Sequence, residues 1–260
     1  MVDEPILELR GVNKSFGPVR VLHDIDFAVY PGQVSALVGD NGAGKSTLVK
    51  CIAGIYAFDH GEVLFDGSPV HIHGPRDAAA LGIEIVYQDL ALCDNLDIVQ
   101  NMFLGREIET RVGSLDEGTM ERKARETLAS LSVRTVKSVR QIVASLSGGQ
   151  RQTVAIAKAV LWNSRVVFLD EPTAALGVAQ TRQVLNLVRR LADAGLGVVL
   201  ISHNMNDVME VADRVAALYL GRIAAEVKVA DSSVSQIVEL ITTGRSGDIG
   251  LSRATANVSM

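Results

Sequence analysis

Gly39-Asp40-Asn41-Gly42-Ala43-Gly44-Lys45-Ser46-Thr47 follows a short apolar run, Val34 to Val38, and leads into Leu48-Val49-Lys50-Cys51-Ile52-Ala53. The spacing G-x-x-x-x-G-K-[ST] in that setting requires a buried strand, a tight glycine turn and a helix whose N-terminus faces the turn. The glycines let backbone N–H groups curl around phosphate oxygens, the lysine reaches the β- and γ-phosphates, and the following hydroxyl holds Mg²⁺. Gly39 to Thr47 is therefore expected to cradle a nucleotide, with Lys45 on the phosphates and Ser46 on the metal.

Leu146-Ser147-Gly148-Gly149-Gln150 precedes a helical pattern through Gln152, Val154, Ile156, Ala157 and Val160. A hydroxyl and backbone N–H groups at a helix start, with the helix dipole behind them, form a second anion site. A second cradle in a chain that already has one implies a partner.

Composition narrows the class. With 48% hydrophobic residues among 260, the chain can bury a substantial core. Net charge is -5 and aromatics are 4%, without a dense Lys/Arg block, so the electrostatic footprint and stacking platforms of a nucleic-acid binder are missing. No nucleic-acid partner is expected. Apolar runs such as Val198 to Ile201 and Val166 to Leu169 are strand-length, far below the ~18 residues of a spanning helix. Met1 to Pro5 lacks a basic region followed by an apolar one, so the expected location is cytoplasmic. Cys51 and Cys93 suggest neither a disulfide framework nor a metal knuckle, and His71-Ile72-His73 has no nearby Cys or His to complete a metal site.

Strands are expected at Ile6 to Arg10, Val21 to Val29, Val34 to Val38, Glu62 to Phe65, Ile83 to Tyr87, Val166 to Asp170, Gly197 to Ser202, Val215 to Leu220 and Ile223 to Val229. Helices between many of them, such as Gly177 to Ala194 with Val184, Leu185, Val188 and Leu191 at helical spacing, indicate an α/β layered domain. Gln88 to Ser164 reads as an inserted helical lobe, in which Ser114-Leu115-Asp116-Glu117 matches a capping box ahead of Met120, Ala124, Leu128 and Leu131. Gly61-Glu62 and Gly221-Arg222 read as hairpin turns, Asp231 to Thr243 as a final helix, and Gly244 to Met260 as a loose tail.

Arg165 to Leu169 is an apolar strand ending in Asp170 and Glu171. In a Mg-nucleotide site Asp170 would hold the metal, through water, and Glu171 would polarise the attacking water. Gln88, after its own strand, could reach metal and water from one side, and His203, after Val198 to Ser202, could contact the γ-phosphate from the other.

Taken in order, these motifs resemble the nucleotide-binding subunit of an ATP-binding-cassette transporter, from Leu7 to about Gly244. The resemblance implies a P-loop NTPase cassette of α/β class, with a mixed sheet core, an antiparallel β portion and an inserted helical subdomain at about 89–164. Residues 1–244 would be a single nucleotide-binding domain and 245–260 a flexible tail. It implies a Mg-dependent ATPase in which Phe16 is the adenine platform, Asn41 and its loop neighbours hold ATP, and Lys45, Gln88, Glu171 and His203 are catalytic, with Ser46, Gln88 and Asp170 on Mg²⁺. Ser147, Gly148, Gly149 and Gln150 would close the ATP pocket of the opposite subunit in a head-to-tail homodimer. Closure of that sandwich would drive integral membrane permease subunits, served indirectly by a sugar-binding protein, with the chain peripheral on the inner face of the cell membrane.

Ala80 to Leu92 and Asn101 to Glu107 resemble the monosaccharide-import branch, which takes up ribose, xylose and fructose. The chain departs from the general family at Gly177, where an Asp usually bridges the subunits. Residues after Gln88, through about Glu107, are expected to form the permease groove, with Leu90, Leu92, Leu96, Met102, Phe103 and Leu104 as apolar surface or as core. Import of a related polyol or other small solute, export, a soluble cassette ATPase outside transport, and a module that dimerises on ATP without hydrolysis stay open as alternatives.

Overall fold

The structure, a computed structural model, describes residues 4–131, 133 and 136–251. Its elements run β1 (Leu7–Phe16), β2 (Val19–Val29), β3 (Val34–Gly39), α1 (Lys45–Ile52), β4 (His60–Phe65), β5 (Ser68–Val70), α2 (Pro75–Ala80) and β6 (Ile83–Val86). There follow α3 (Ile98–Phe103), α4 (Glu117–Ser130), α5 (Gly148–Val160), β7 (Val166–Asp170), α6 (Val178–Asp193), β8 (Gly197–Ile201), α7 (Met205–Val211), β9 (Arg214–Tyr219), β10 (Arg222–Lys228), α8 (Val234–Thr243), β11 (Arg245–Ser246) and β12 (Ile249–Gly250).

A six-stranded sheet in the order β10-β9-β3-β8-β7-β6 forms the centre, parallel except for β10, and a four-stranded antiparallel sheet β2-β1-β4-β5 lies against it. Parallel strands are covered on both faces, so they read as continuous apolar runs. Period-two alternation sorts them into two cores. Val34, Ala36, Val167, Leu169, Val198 and Leu200 join the helices α3 to α6, whereas Leu37, Val166, Phe168, Val199 and Ile201 join α1 and the antiparallel sheet.

The antiparallel turns sit differently from their sequence reading. Gly61 lies inside β4, where a Cβ would stand 2.5 Å from Val12 Cα; the missing side chain allows a close backbone approach. The β4–β5 hairpin turns at Asp66-Gly67, both at positive φ, as a two-residue turn of matching twist requires. The β9–β10 turn is Leu220-Gly221, one residue earlier than expected.

Asp116, not Ser114, caps α4: its side chain accepts from Thr119 N at 3.0 Å, while Ser114 bonds the Thr110 hydroxyl at 2.8 Å. The inward face of Met120, Ala124 and Leu128 is buried as its spacing requires. The final helix starts at Val234 with Ser233 as cap, three residues later than its pattern suggests, because Val229–Asp231 takes a single 3-10 turn. Of the stretch read as a loose tail, Arg245–Ser246 pairs with Ile249–Gly250 in a short hairpin; residues 252–260 lie outside the described residues. Among the described residues no helix is long and apolar enough to cross a membrane.

Candidate active site

The C-terminal ends of β3, β8, β7 and β6 stand in a row, and from them issue the loops that carry Lys45, His203, Asp170 with Glu171, and Gln88. Ligands of open α/β sheets bind at that edge. Gln88 lies in an exposed turn after β6, which ends at Val86.

Gly39 ends β3 under the backbone of β9: a Cβ would lie 2.4 Å from Leu218 O. Asp40, Asn41 and Gly42 are exposed and Ala43 and Gly44 buried, as the chain turns through positive φ at Gly42 and Gly44. Gly44 caps α1 without a side-chain bond, and the first turn holds no acidic residue, so the N–H groups there, beside exposed Ser46 and half-buried Thr47, could hold an anion. Lys45 Nζ donates to Gly39 O at 2.6 Å and Asp40 O at 3.0 Å, placing its charge across the cradle.

Electrostatics join the cluster. Burial pushes the Lys45 ammonium below the usual lysine range, and Glu171, Asp170 and Asp40 draw it back. Burial pushes the Asp170 carboxyl up, Glu171 adds to that, and Lys45 and Lys50 oppose it. A carboxylate raised by burial and by a like charge, beside a lysine whose charge is desolvated, suits a divalent cation together with phosphates.

β7 and β8 are parallel neighbours with Asp170 beside Ile201, so the residues just beyond each strand face one another. Glu171 N donates to Ile201 O at 2.9 Å, and Glu171 Oε1 lies 2.8 Å from His203 Nδ1. Glu171 is 15% exposed and held at φ 49, while the His203 side chain is 77% exposed.

Phe16 ends β1 at 42% exposure, with its ring edge-on to Tyr56 at 5.1 Å and Lys14 Nζ 5.4 Å from its centroid. The next strand approaches the phosphate loop: Leu22 Cδ2 stands 2.9 Å from where a Gly44 Cβ would be.

Ser147 caps α5, its hydroxyl accepting from Gln150 N at 3.4 Å and its N–H donating to Gln150 Oε1 at 2.9 Å. Cβ atoms on Gly148 and Gly149 would meet Leu176 Cδ2 at 3.2 Å and Gln180 Cβ at 3.1 Å. This element thus packs on the loop that follows Glu171. Gly177 caps α6 at an ordinary φ of -75, with open space where a Cβ would be.

Three contributors escape sequence reading. Asn101, fully buried, accepts from Cys93 N and donates to the Cys93, Leu96 and Asp97 carbonyls, holding the loop after Gln88. Gln180 packs on Gly149 and accepts from Gly177 N. Thr173 Oγ1 donates to Asp207 Oδ2 at 2.6 Å. Asn101 bonds only within its own loop, whereas Gln180 meets Gly149 and Thr173 meets Asp207 from segments distant in sequence, so residue type alone marks none of them. Of the residues expected in the groove, Phe103 is fully buried against Trp162 and is core; Leu90, Met102 and Leu104 border a cavity of about 210 Å³ with Tyr87, Lys158 and Trp162.

Residues 22–174 match the family described as ABC transporter. The chain is 46% identical to the fructose import ATP-binding protein FrcA of Rhizobium meliloti, over 93% of this chain and 95% of that protein. It is 44% identical to the xylose/arabinose import ATP-binding protein XylG of Sulfolobus acidocaldarius, over 95% and 97%. Among solved structures it resembles a nucleotide-free ATP-binding cassette from an ABC transporter (TM-score 0.77, 25% identity, 90% and 99% coverage). It also resembles the dimeric post-hydrolysis state of the cassette MJ0796 bound to ADP and Pi (TM-score 0.71, 25% identity, 86% and 98% coverage).

Proposed function

This chain belongs to the ABC transporter family, and on that premise we propose that it is the ATP-hydrolysing subunit of a monosaccharide importer, acting as a head-to-tail homodimer. The convergence of Lys45, Asp170, Glu171 and His203 at one sheet edge carries the ATPase reading. The sugar reading is supported by relatives named for fructose and xylose/arabinose import that align over nearly their full length.

Residues 1–244 act as one nucleotide-binding domain in this proposal, with the helical portion inserted at about 89–164. Gly39 to Thr47 hold the phosphates and Phe16 packs on adenine. Ser46, Gln88 and Asp170 would hold Mg²⁺, which when bound neutralises phosphate charge. Glu171 orients the attacking water and accepts its proton; Lys45 and His203 stabilise charge on the γ-phosphate. Ser147 to Gln150 complete the site of the second copy. ATP that binds the closed dimer better than the open one shifts it towards closure, and that difference is what can move a permease. The cavity beside Tyr87 and Trp162 receives a permease helix at the cytoplasmic face of the membrane.

Mg-dependent phosphate release by wild type against Glu171→Gln tests the enzyme. A loss of about 10²-fold or more supports it, and equal, negligible rates overturn it. Uptake of labelled fructose, xylose and ribose by cells with and without the gene tests the substrate class; unchanged uptake of all three overturns monosaccharide import.

A further inference from the structure

Asp207 is 5% exposed in the first turn of α7, an unusual place for a carboxylate, since burial costs free energy unless bonds repay it. The bond that Thr173 donates to it, 2.6 Å long, meets that requirement. Thr173 lies two residues beyond Glu171, and Asp207 four beyond His203. The two contacts Glu171–His203 and Thr173–Asp207 therefore run between the same two segments, the turn after β7 and the turn with α7 after β8.

The bonds from Glu171 to Ile201 O and to His203 meet at one residue, which leaves the turn free to pivot about it. The Thr173–Asp207 bond, two residues further on, removes that freedom. Glu171 needs such support, because a non-glycine residue at φ 49 persists only where its surroundings impose it. His203 needs it too, being 77% exposed and lightly packed.

We infer that Thr173 and Asp207 are positioning residues, whose hydrogen bond sets the orientation of Glu171 and His203 for attack on the nucleotide. This rests on the ATPase reading above. Neither residue is assigned to the nucleotide in that reading; each acts by fixing the turn that carries a reacting group. Misplacing such a group by about an ångström lowers the rate about 10²-fold.

The experiment uses the full purified chain and measures kcat and KM for Mg-ATP. Thr173→Val, nearly the same size, removes the donor and is expected to lower kcat about tenfold to 100-fold, with KM within about threefold of wild type. Thr173→Ser keeps the hydroxyl and is expected to restore most of the rate, which a role in packing alone would not do. Combining Thr173→Val with Asp207→Ala should cost no more than Asp207→Ala by itself, because both remove one bond. If Asp207→Ala does not fold, Thr173→Val against Thr173→Ser decides.

An unimpaired Thr173→Val, a Thr173→Ser as slow as Thr173→Val, or losses that multiply in the double variant would overturn the inference. Wild-type hydrolysis abolished by Glu171→Gln, alongside an unimpaired Thr173→Val, overturns the positioning role alone. Wild type no faster than Glu171→Gln overturns the ATPase reading and the positioning role with it.

Discussion

Oε1 of Glu171 stands 2.8 Å from Nδ1 of His203 across two neighbouring parallel strands, 32 residues apart in sequence. The bond exists because β7 and β8 end in register, and Glu171 turns through positive φ so that its carboxylate faces back across the gap. The imidazole is thereby oriented at one nitrogen, which leaves Nε2 available to a ligand at the sheet edge.

His203→Ala removes that partner while leaving the phosphate loop intact. Hydrolysis is expected to fall about 100-fold with ATP affinity nearly unchanged. Phosphate release alongside equilibrium binding of a fluorescent ATP analogue checks both halves; a parallel loss of affinity would assign His203 to ground-state binding instead.

Gly39 lies where a Cβ would stand 2.4 Å from the carbonyl oxygen of Leu218. Backbone cannot yield as a flexible side chain can, so Gly39→Ala must displace the phosphate loop or β9. A stability loss of about 1–3 kcal/mol by urea denaturation, with weakened ATP binding, is expected.

Gly177→Asp meets no obstacle, since nothing lies within 4 Å of the added Cβ and φ is an ordinary -75. As the cap of α6, an Asp gains a side-chain acceptor for the first-turn N–H groups and restricts the unfolded chain. A gain of about 0.5 kcal/mol is expected by denaturation, and a loss would show that the glycine is needed for the backbone.

Cys51 is buried behind the phosphate loop, and desolvation pushes its thiol from 9.0 up to about 11. Between those values the unfolded chain releases the proton and the folded chain keeps it. Stability therefore falls as pH rises through that window, by about 2–3 kcal/mol in full. Denaturation curves across it should show a steeper decline for wild type than for Cys51→Ala, and parallel curves would contradict the assignment. In the native protein Cys93, which is partly exposed, should react first with a thiol reagent.

Trp162, the only tryptophan, packs edge-on to Phe103 with ring centroids 5.5 Å apart, has the Arg106 guanidinium 5.5 Å from its ring and borders the cavity proposed for the permease. Its emission should shift when a peptide copying the permease's cytoplasmic helix is added, and Arg106→Ala should weaken the titration. An unchanged spectrum at saturating peptide would place the contact elsewhere.

Much of this molecule is decided locally and can be read from the chain. Val34 to Thr47 specifies strand, glycine turn and helix by itself, because apolar residues, glycines and a following helical pattern act over a few neighbours. Period-two alternation in Val166 to Leu169 and Val198 to Ile201 likewise assigns each side chain to one of two cores. Turn positions were less legible. Gly61 and Gly221 each carry positive φ and each meets a backbone in another strand, yet only Gly221 also turns a hairpin.

The sequence by itself determined the phosphate loop, the strand-end carboxylates and the helix-start motif at Ser147, since each is a contiguous arrangement of residue types whose chemistry needs no distant partner. Tertiary structure alone decided which of them meet. The order β3-β8-β7-β6 aligns Lys45, His203, Glu171 and Gln88 along one edge, and the register of β7 on β8 brings Glu171 to His203. Thr173 and Asp207 are ordinary residues until those two strands pair; their bond depends on a register set by backbone hydrogen bonding and core packing, and no local pattern encodes it.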